Sequence, residues 1–173
     1  MHKLSAALFI AFFVLACANA QAAPRWTISP DGIGPLKIGM TVEQAAKAID
    51  AQLNLTDDEI SDDPDVCAQI QPAGYGGLFL LFEKRRLTSV LITKPSEVKT
   101  FQGIGIGSSE TDVKAAYTNL KIEPADFEEA PALNLTLWVK EDVSGIRFKT
   151  DIQRKVWLIS AGGRSIRYTE GCL

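Results

Sequence analysis

The chain is short of what catalysis commonly needs. Its single histidine is His2, at the extreme N-terminus. Once that end is removed no imidazole remains, which excludes Ser-His-Asp and Cys-His mechanisms and His-ligated zinc. There are three cysteines, Cys17, Cys67 and Cys172, and none belongs to a Cys-x-x-Cys pair, so a catalytic dithiol is not indicated. Basic charge is not in surplus either. Lys and Arg number 18 against 21 Asp and Glu, for a net −3, whereas nucleic-acid binders carry a basic excess. Beyond residue 15 no apolar run is long enough to cross a bilayer as a helix.

What is present begins at the N-terminus. His2 and Lys3 precede the apolar stretch Leu4 to Leu15, too short for a permanent anchor, and Ala18-Asn19-Ala20 supplies a small-x-small cleavage site. Residues 1–20 read as a signal peptide, with Ala20-Gln21-Ala22 as a second possible cut. A rival reading lies in the same segment. Val14-Leu15-Ala16-Cys17 approximates the box before a lipid-modified cysteine, with an unusual Leu15, so a lipid anchor through Cys17 is the alternative to soluble export. The expected location is periplasmic or secreted, or, if lipidated, the outer membrane. Removing 20 of 173 residues leaves 153, and losing Lys3 takes the charge from −3 to about −4. Export places Cys67 and Cys172 where disulfides persist. They are expected to be joined, with two free thiols as the alternative, and the bridge would close a loop of roughly 100 residues, for which chain entropy gives about 4.7 kcal/mol before native strain.

Two segments 68 residues apart follow one plan. Gly34-Pro35-Leu36-Lys37-Ile38-Gly39-Met40-Thr41 leads into Val42 to Ile49, and Gly103-Ile104-Gly105-Ile106-Gly107-Ser108-Ser109 leads into Glu110 to Tyr117. Thr41 with Gln44, and Ser109 with Asp112, have capping-box spacing. Val42, Ala45, Ala46, Ile49 and Leu53, then Val113, Ala116, Tyr117 and Leu120, fall at helical intervals. After the first helix come an acidic stretch, 56–65, and strands expected at Cys67–Gln71, Leu78–Glu83 and Leu87–Thr93. After the second come a proline-rich loop, Glu123–Pro131, and strands at Leu133–Lys140, Gly145–Thr150 and Lys155–Ala161, with Arg164–Thr169 as a fourth. Cys67–Gln71 moved by the same offset lands on Leu135–Val139, and self-similarity at a fixed interval signals repetition. The expected fold is α+β: two tandem copies of a unit with a short helix and a three- or four-stranded antiparallel sheet. A leader spans 21–30, the first repeat 31–95 and the second 96–172.

Helices that cover one face of each sheet leave the other open. Leu135, Leu137 and Val139 alternate with Thr136, Trp138 and Lys140, and Ile146 and Phe148 with Arg147 and Lys149. With the aliphatic set inward, Trp138, Arg147 and Lys149 share the open face, and Trp157 is a candidate to join them. Aromatics and arginine carry much of the energy of protein interfaces. The alternative is that these tryptophans fill a core between the units, and both readings stand at this point.

The Gly32-Ile33-Gly34-x-Leu36-x-Ile38-Gly39-Met40-Thr41-x-x-Gln44-Ala45 opening, followed by a helix and sheet, resembles two groups of proteins. One is the outer-membrane assembly lipoproteins of the OmlA/SmpA type. The other is the secreted β-lactamase-inhibitory proteins, which carry such a unit twice. The Glu170-Gly171-Cys172 ending is also similar to that of a broad set of exported bacterial proteins. This resemblance implies fold, and no inhibitory residue carries over from it.

Other motifs carry little chemistry. Ser96-Glu97-Val98-Lys99 has a Ser-x-x-Lys pattern but follows Pro95 in a linker, without Ser-Asp-Asn or Lys-Thr-Gly partners. Gly103, Gly105 and Gly107 lack phosphate-loop spacing and read as turn chemistry. Asp57, Asp58, Glu59, Asp62, Asp63 and Asp65 offer oxygen ligands without the glycine and distal Glu of a calcium loop. Lys84-Arg85-Arg86 reads as a charged hairpin tip, with contact to anionic lipid or cell-wall polymer as the alternative. Paired carboxylates for glycosidic chemistry cannot be singled out from one sequence. The expectation is therefore a non-enzymatic exported protein-binding module without cofactor or metal, one version being an inhibitor of a secreted or periplasmic hydrolase. Alternatives are an envelope-assembly or scaffold lipoprotein, and a small-molecule or calcium binder.

Overall fold

A computed structural model describes residues 26–55, 67–169 and 171–172. The signal peptide, Cys17 and the acidic cluster from Asp57 to Asp65 lie outside these residues. Three two-residue strands come first, β1 (Ile28–Ser29), β2 (Gly32–Ile33) and β3 (Leu36–Lys37), paired antiparallel in that order. Helix α1 (Val42–Ile49) follows, then β4 (Cys67–Ile70), β5 (Leu78–Glu83) and β6 (Arg86–Ile92). Helix α2 (Glu110–Ala116) leads into β7 (Lys121–Pro124), β8 (Leu133–Lys140), β9 (Ser144–Thr150) and β10 (Val156–Gly162), and the chain closes with a 3₁₀ turn at Arg164–Arg167.

Both helices start where their caps dictate. Thr41 Oγ1 accepts the Gln44 N–H at 3.2 Å while Gln44 Oε1 accepts the Thr41 N–H at 2.9 Å. Ser109 Oγ accepts from Asp112 N at 3.1 Å, and the Asp112 carboxylate accepts from Ser109 N at 2.9 Å. Helix α1 buries Val42, Ala45 and Ile49, then stops at Asp50 in the left-handed region, φ 49°. In α2, Val113 is buried, and so is the Glu110 carboxylate, which pairs with Lys114 and, at 3.3 Å, with Arg154.

Strands β4 to β10 form one antiparallel sheet in the order β4-β5-β6-β10-β9-β8-β7. Alternation sorts each strand by face. One face carries Ala68, Leu78, Leu80, Phe82, Leu87, Val90, Ile92, Leu135, Ile146, Phe148, Ile159 and Ala161, and these form a single core with Ile28, Ile33, Leu36 and the apolar sides of both helices.

This corrects the expected α+β tandem repeat. The protein is mostly β, 41% strand against 13% helix, with sheets of three and seven strands and only two helices among the described residues. Two separate helix-plus-sheet units would each leave an unpaired strand edge. Here β6 and β10 pair instead, Val90 opposite Ala161 and Ile92 opposite Ile159, which satisfies both backbones and buries apolar side chains across the junction. Three local expectations also change. Arg164–Thr169 is no strand: it begins as a 3₁₀ turn. Lys121–Pro124 is a strand whose last two residues fall in the expected proline-rich loop. Val139 is 70% exposed and not core, because the β8–β9 register slips between Trp138 and Lys140 and takes it out of the alternation.

Cys67 and Cys172 are disulfide-bonded, with Cα atoms 5.5 Å apart across 105 residues of sequence. Among the described residues no helix is long and apolar enough to cross a membrane.

Candidate binding site

The sheet face opposite the helices is where Trp138, Arg147 and Lys149 were expected, and strand register puts all three there. Thr136 lies opposite Arg147, Asn134 opposite Lys149, and Trp138 opposite Gly145. Gly145 is required by this close approach, since a Cβ there would run into the Trp138 ring. Arg167 covers Trp138 from the other side, its guanidinium 5.2 Å from the ring centroid, and is itself paired with Glu141 at 3.3 Å and Asp142 at 3.2 Å.

This face is not open along its length. From Gly162 the chain turns back and crosses it toward β4. Ile166 packs down fully buried, and Ser160 Oγ donates to the Ile166 carbonyl at 3.3 Å. Tyr168 donates its hydroxyl proton to Glu83 of β5 at 2.6 Å, Thr169 bonds Asp126 at 3.3 Å, Gly171 lies against Gln69, and Cys172 ends on Cys67 of β4. Burial pushes the Tyr168 phenol above its ordinary pKa, and the Glu83 carboxylate adds to the shift.

Arg147 and Lys149 are consequently buried, 4% and 6% exposed. Arg147 is partly provided for: Nη1 donates to Thr136 Oγ1 at 3.2 Å and lies 3.5 Å from Glu123, Nη2 lies 3.7 Å from Asp126, and Nε is buried without a hydrogen-bond partner. Burial lowers its pKa, and the Glu123 and Asp126 carboxylates oppose that shift. Lys149 differs. Burial, then the neighbouring Arg147 charge, lowers its pKa, with only Asp126 acting against them, and among the described residues its ammonium has no hydrogen bond or ion pair.

Lys149 and Thr169 form the wall between two small cavities. One, about 200 Å³, runs under the C-terminal segment between Leu91, Leu158, Ser160 and Tyr168. The other, about 190 Å³, is lined by Asp126, Phe127, Glu128, Asn134 and Trp157. Trp157 occupies the bulge in β10 between Val156 and Leu158, 36% exposed, and Phe127 is 88% exposed. Thus Trp157 joins Lys149 at this second cavity, while Trp138 lies along the face beneath Arg167. Asn134 was legible from strand parity, two residues before Thr136. Phe127, an isolated aromatic in the run Asp126-Phe127-Glu128-Glu129, gave no periodic signal.

The remaining motifs are accounted for locally. Ser96 Oγ accepts the Val98 N–H at 3.3 Å in a non-helical segment, so Lys99 is not one helical turn away from it. Gly103 and Gly107 adopt φ of 83° and 89° in turns. Lys84 and Arg85 form the β5–β6 turn, and Arg86 Nη1 donates to the Gly39 carbonyl at 3.2 Å. No cluster of three or more His, Cys, Asp or Glu placed to hold a metal ion occurs among the described residues. No family model, curated protein or solved structure matches the chain.

Proposed function

We propose that this chain is an exported, non-enzymatic protein that binds another protein through the cleft between Phe127 and Trp157. One observation carries the reading: two solvent-facing aromatics flank a cavity floored by the buried polar side chains of Lys149 and Asn134. Exposed aromatics at a pocket are where interface energy concentrates. A buried polar floor gives such a pocket selectivity. Export is supported by the N-terminal segment, with its Ala-x-Ala site, and by the Cys67–Cys172 bridge, which suits an oxidising compartment. Inhibition of a secreted or periplasmic hydrolase is one form this binding takes.

Affinity capture from an envelope extract of the producing cell tests the reading. The wild-type chain is expected to retain a protein that the Phe127→Ala, Trp157→Ala double variant retains at least tenfold less. Equal retention by both refutes it. Mass spectrometry of the mature N-terminus separates the soluble form, starting at Gln21, from a lipoprotein starting at acylated Cys17.

A further inference from the structure

Lys149 sets the chemistry of the proposed partner-binding cleft. Asp126 Oδ2 already accepts from Asn134 Nδ2 at 3.2 Å and from Thr169 Oγ1 at 3.3 Å, and faces Arg147 Nη2 at 3.7 Å. Glu123 serves Arg147 and, at 3.2 Å, Lys121. Asp126, the carboxylate whose charge acts on Lys149, is thus committed elsewhere, Glu128 lines the same cavity without an ion pair to it, and the Lys149 N–H donors have no partner among the described residues. Lys149 lines the cavity as a largely buried residue, and a partly desolvated charge gains most from an opposite charge brought to it. Asn134 lies directly across the strand pair and lines the same cavity. Its Nδ2 donates to the Pro124 carbonyl at 3.2 Å and to Asp126, both acceptors, which fixes the amide orientation and leaves Oδ1 buried without a donor. A cavity of about 190 Å³ is sized for a side chain, below the range of drug-like ligand pockets.

Resting on the protein-binding reading above, we propose that Lys149 receives the carboxylate of a partner Asp or Glu side chain. A neighbouring apolar residue of the partner packs between Phe127 and Trp157.

The test uses a blocked single residue, N-acetylglutamate N-methylamide, titrated into the intact disulfide-bonded protein. Chemical shifts are followed at the Trp157 indole N–H and the Lys149 ε-methylene. Saturable shifts are expected at both, at least tenfold weaker with the glutamine counterpart and lost in Lys149→Met. Retained dispersion of the amide spectrum shows that this variant is folded, and Lys149→Arg is expected to keep part of the response. Equal responses to the two probes, or none to either, overturn the inference. A captured partner that Lys149→Met holds as tightly as wild type, while Phe127→Ala, Trp157→Ala loses it, overturns the carboxylate alone. Capture of nothing by the wild-type chain overturns the reading beneath it.

Discussion

Lys149 shows how two neighbours on one strand face acquire different roles. Arg147 brings its charge inside with Thr136, Glu123 and Asp126 around it, while Lys149 lies beside it with no hydrogen bond or ion pair among the described residues. Natural sequences keep such costs where binding requires them. Lys149→Met is therefore expected to stabilise the fold, by on the order of 1 kcal/mol, or about 2–4 °C in melting temperature. The pH dependence follows from the lowered lysine pKa. The penalty is complete while both folded and unfolded states hold the proton, and it fades as pH rises from the folded pKa toward the unfolded value, where only the unfolded chain binds the proton. The gap in melting temperature between Lys149→Met and wild type should accordingly narrow at alkaline pH, and a widening gap would contradict the assignment. A fully buried aromatic gives the contrast. Phe148, against Tyr117 at 5.3 Å, has no polar role, and Phe148→Ala is expected to cost about 3–5 kcal/mol in denaturant melts. The shared face of Trp138, Arg147 and Lys149 was legible from alternation alone, because one residue's direction fixes its neighbours'. Their burial was not, because it depends on a C-terminal segment arriving from elsewhere in the sequence.

At the scale of elements, the helix starts were legible almost to the residue, since a cap is a local exchange among four consecutive positions. The strand cores at Leu78–Glu83 and Leu133–Lys140 were legible for the same reason. Elements that depend on a partner were not. Strands β1 to β3 are two residues each and are held by pairing with one another and by the Ile28 N–H donating to the Lys99 carbonyl at 3.1 Å, and β7 forms because β8 offers it an edge. The β5–β6 hairpin holds a further test. Lys84 and Arg85 adopt φ of 48° and 59°, the left-handed region that such two-residue turns demand and that Asn and Gly fill at less cost. Lys84→Asn with Arg85→Gly is expected to raise stability by about 1 kcal/mol. A loss on thermal melting would mean that the basic side chains themselves hold the turn.

For the whole molecule, the decisive event is the pairing of β6 with β10, which converts the strands of both halves into one sheet with one core. Local patterns describe which residues face inward but not which edges meet, so the duplicated plan was read as two sheets. The disulfide completes this arrangement by fastening the C-terminal segment to the β4 edge. Replacing Cys67 and Cys172 by serine is expected to cost about 2–5 kcal/mol and to loosen the Thr169 wall of the Lys149 cavities, measurable as faster amide exchange at Tyr168 and Thr169. The most direct measurement of the binding claim is photocrosslinking in an envelope extract, with the photoreactive residue placed at position 127 in one sample and at Lys47, exposed on α1, in another. A discrete adduct from position 127 and none from position 47 is expected. An adduct from position 47 with none from position 127 would put the binding surface on the helical side and contradict the account.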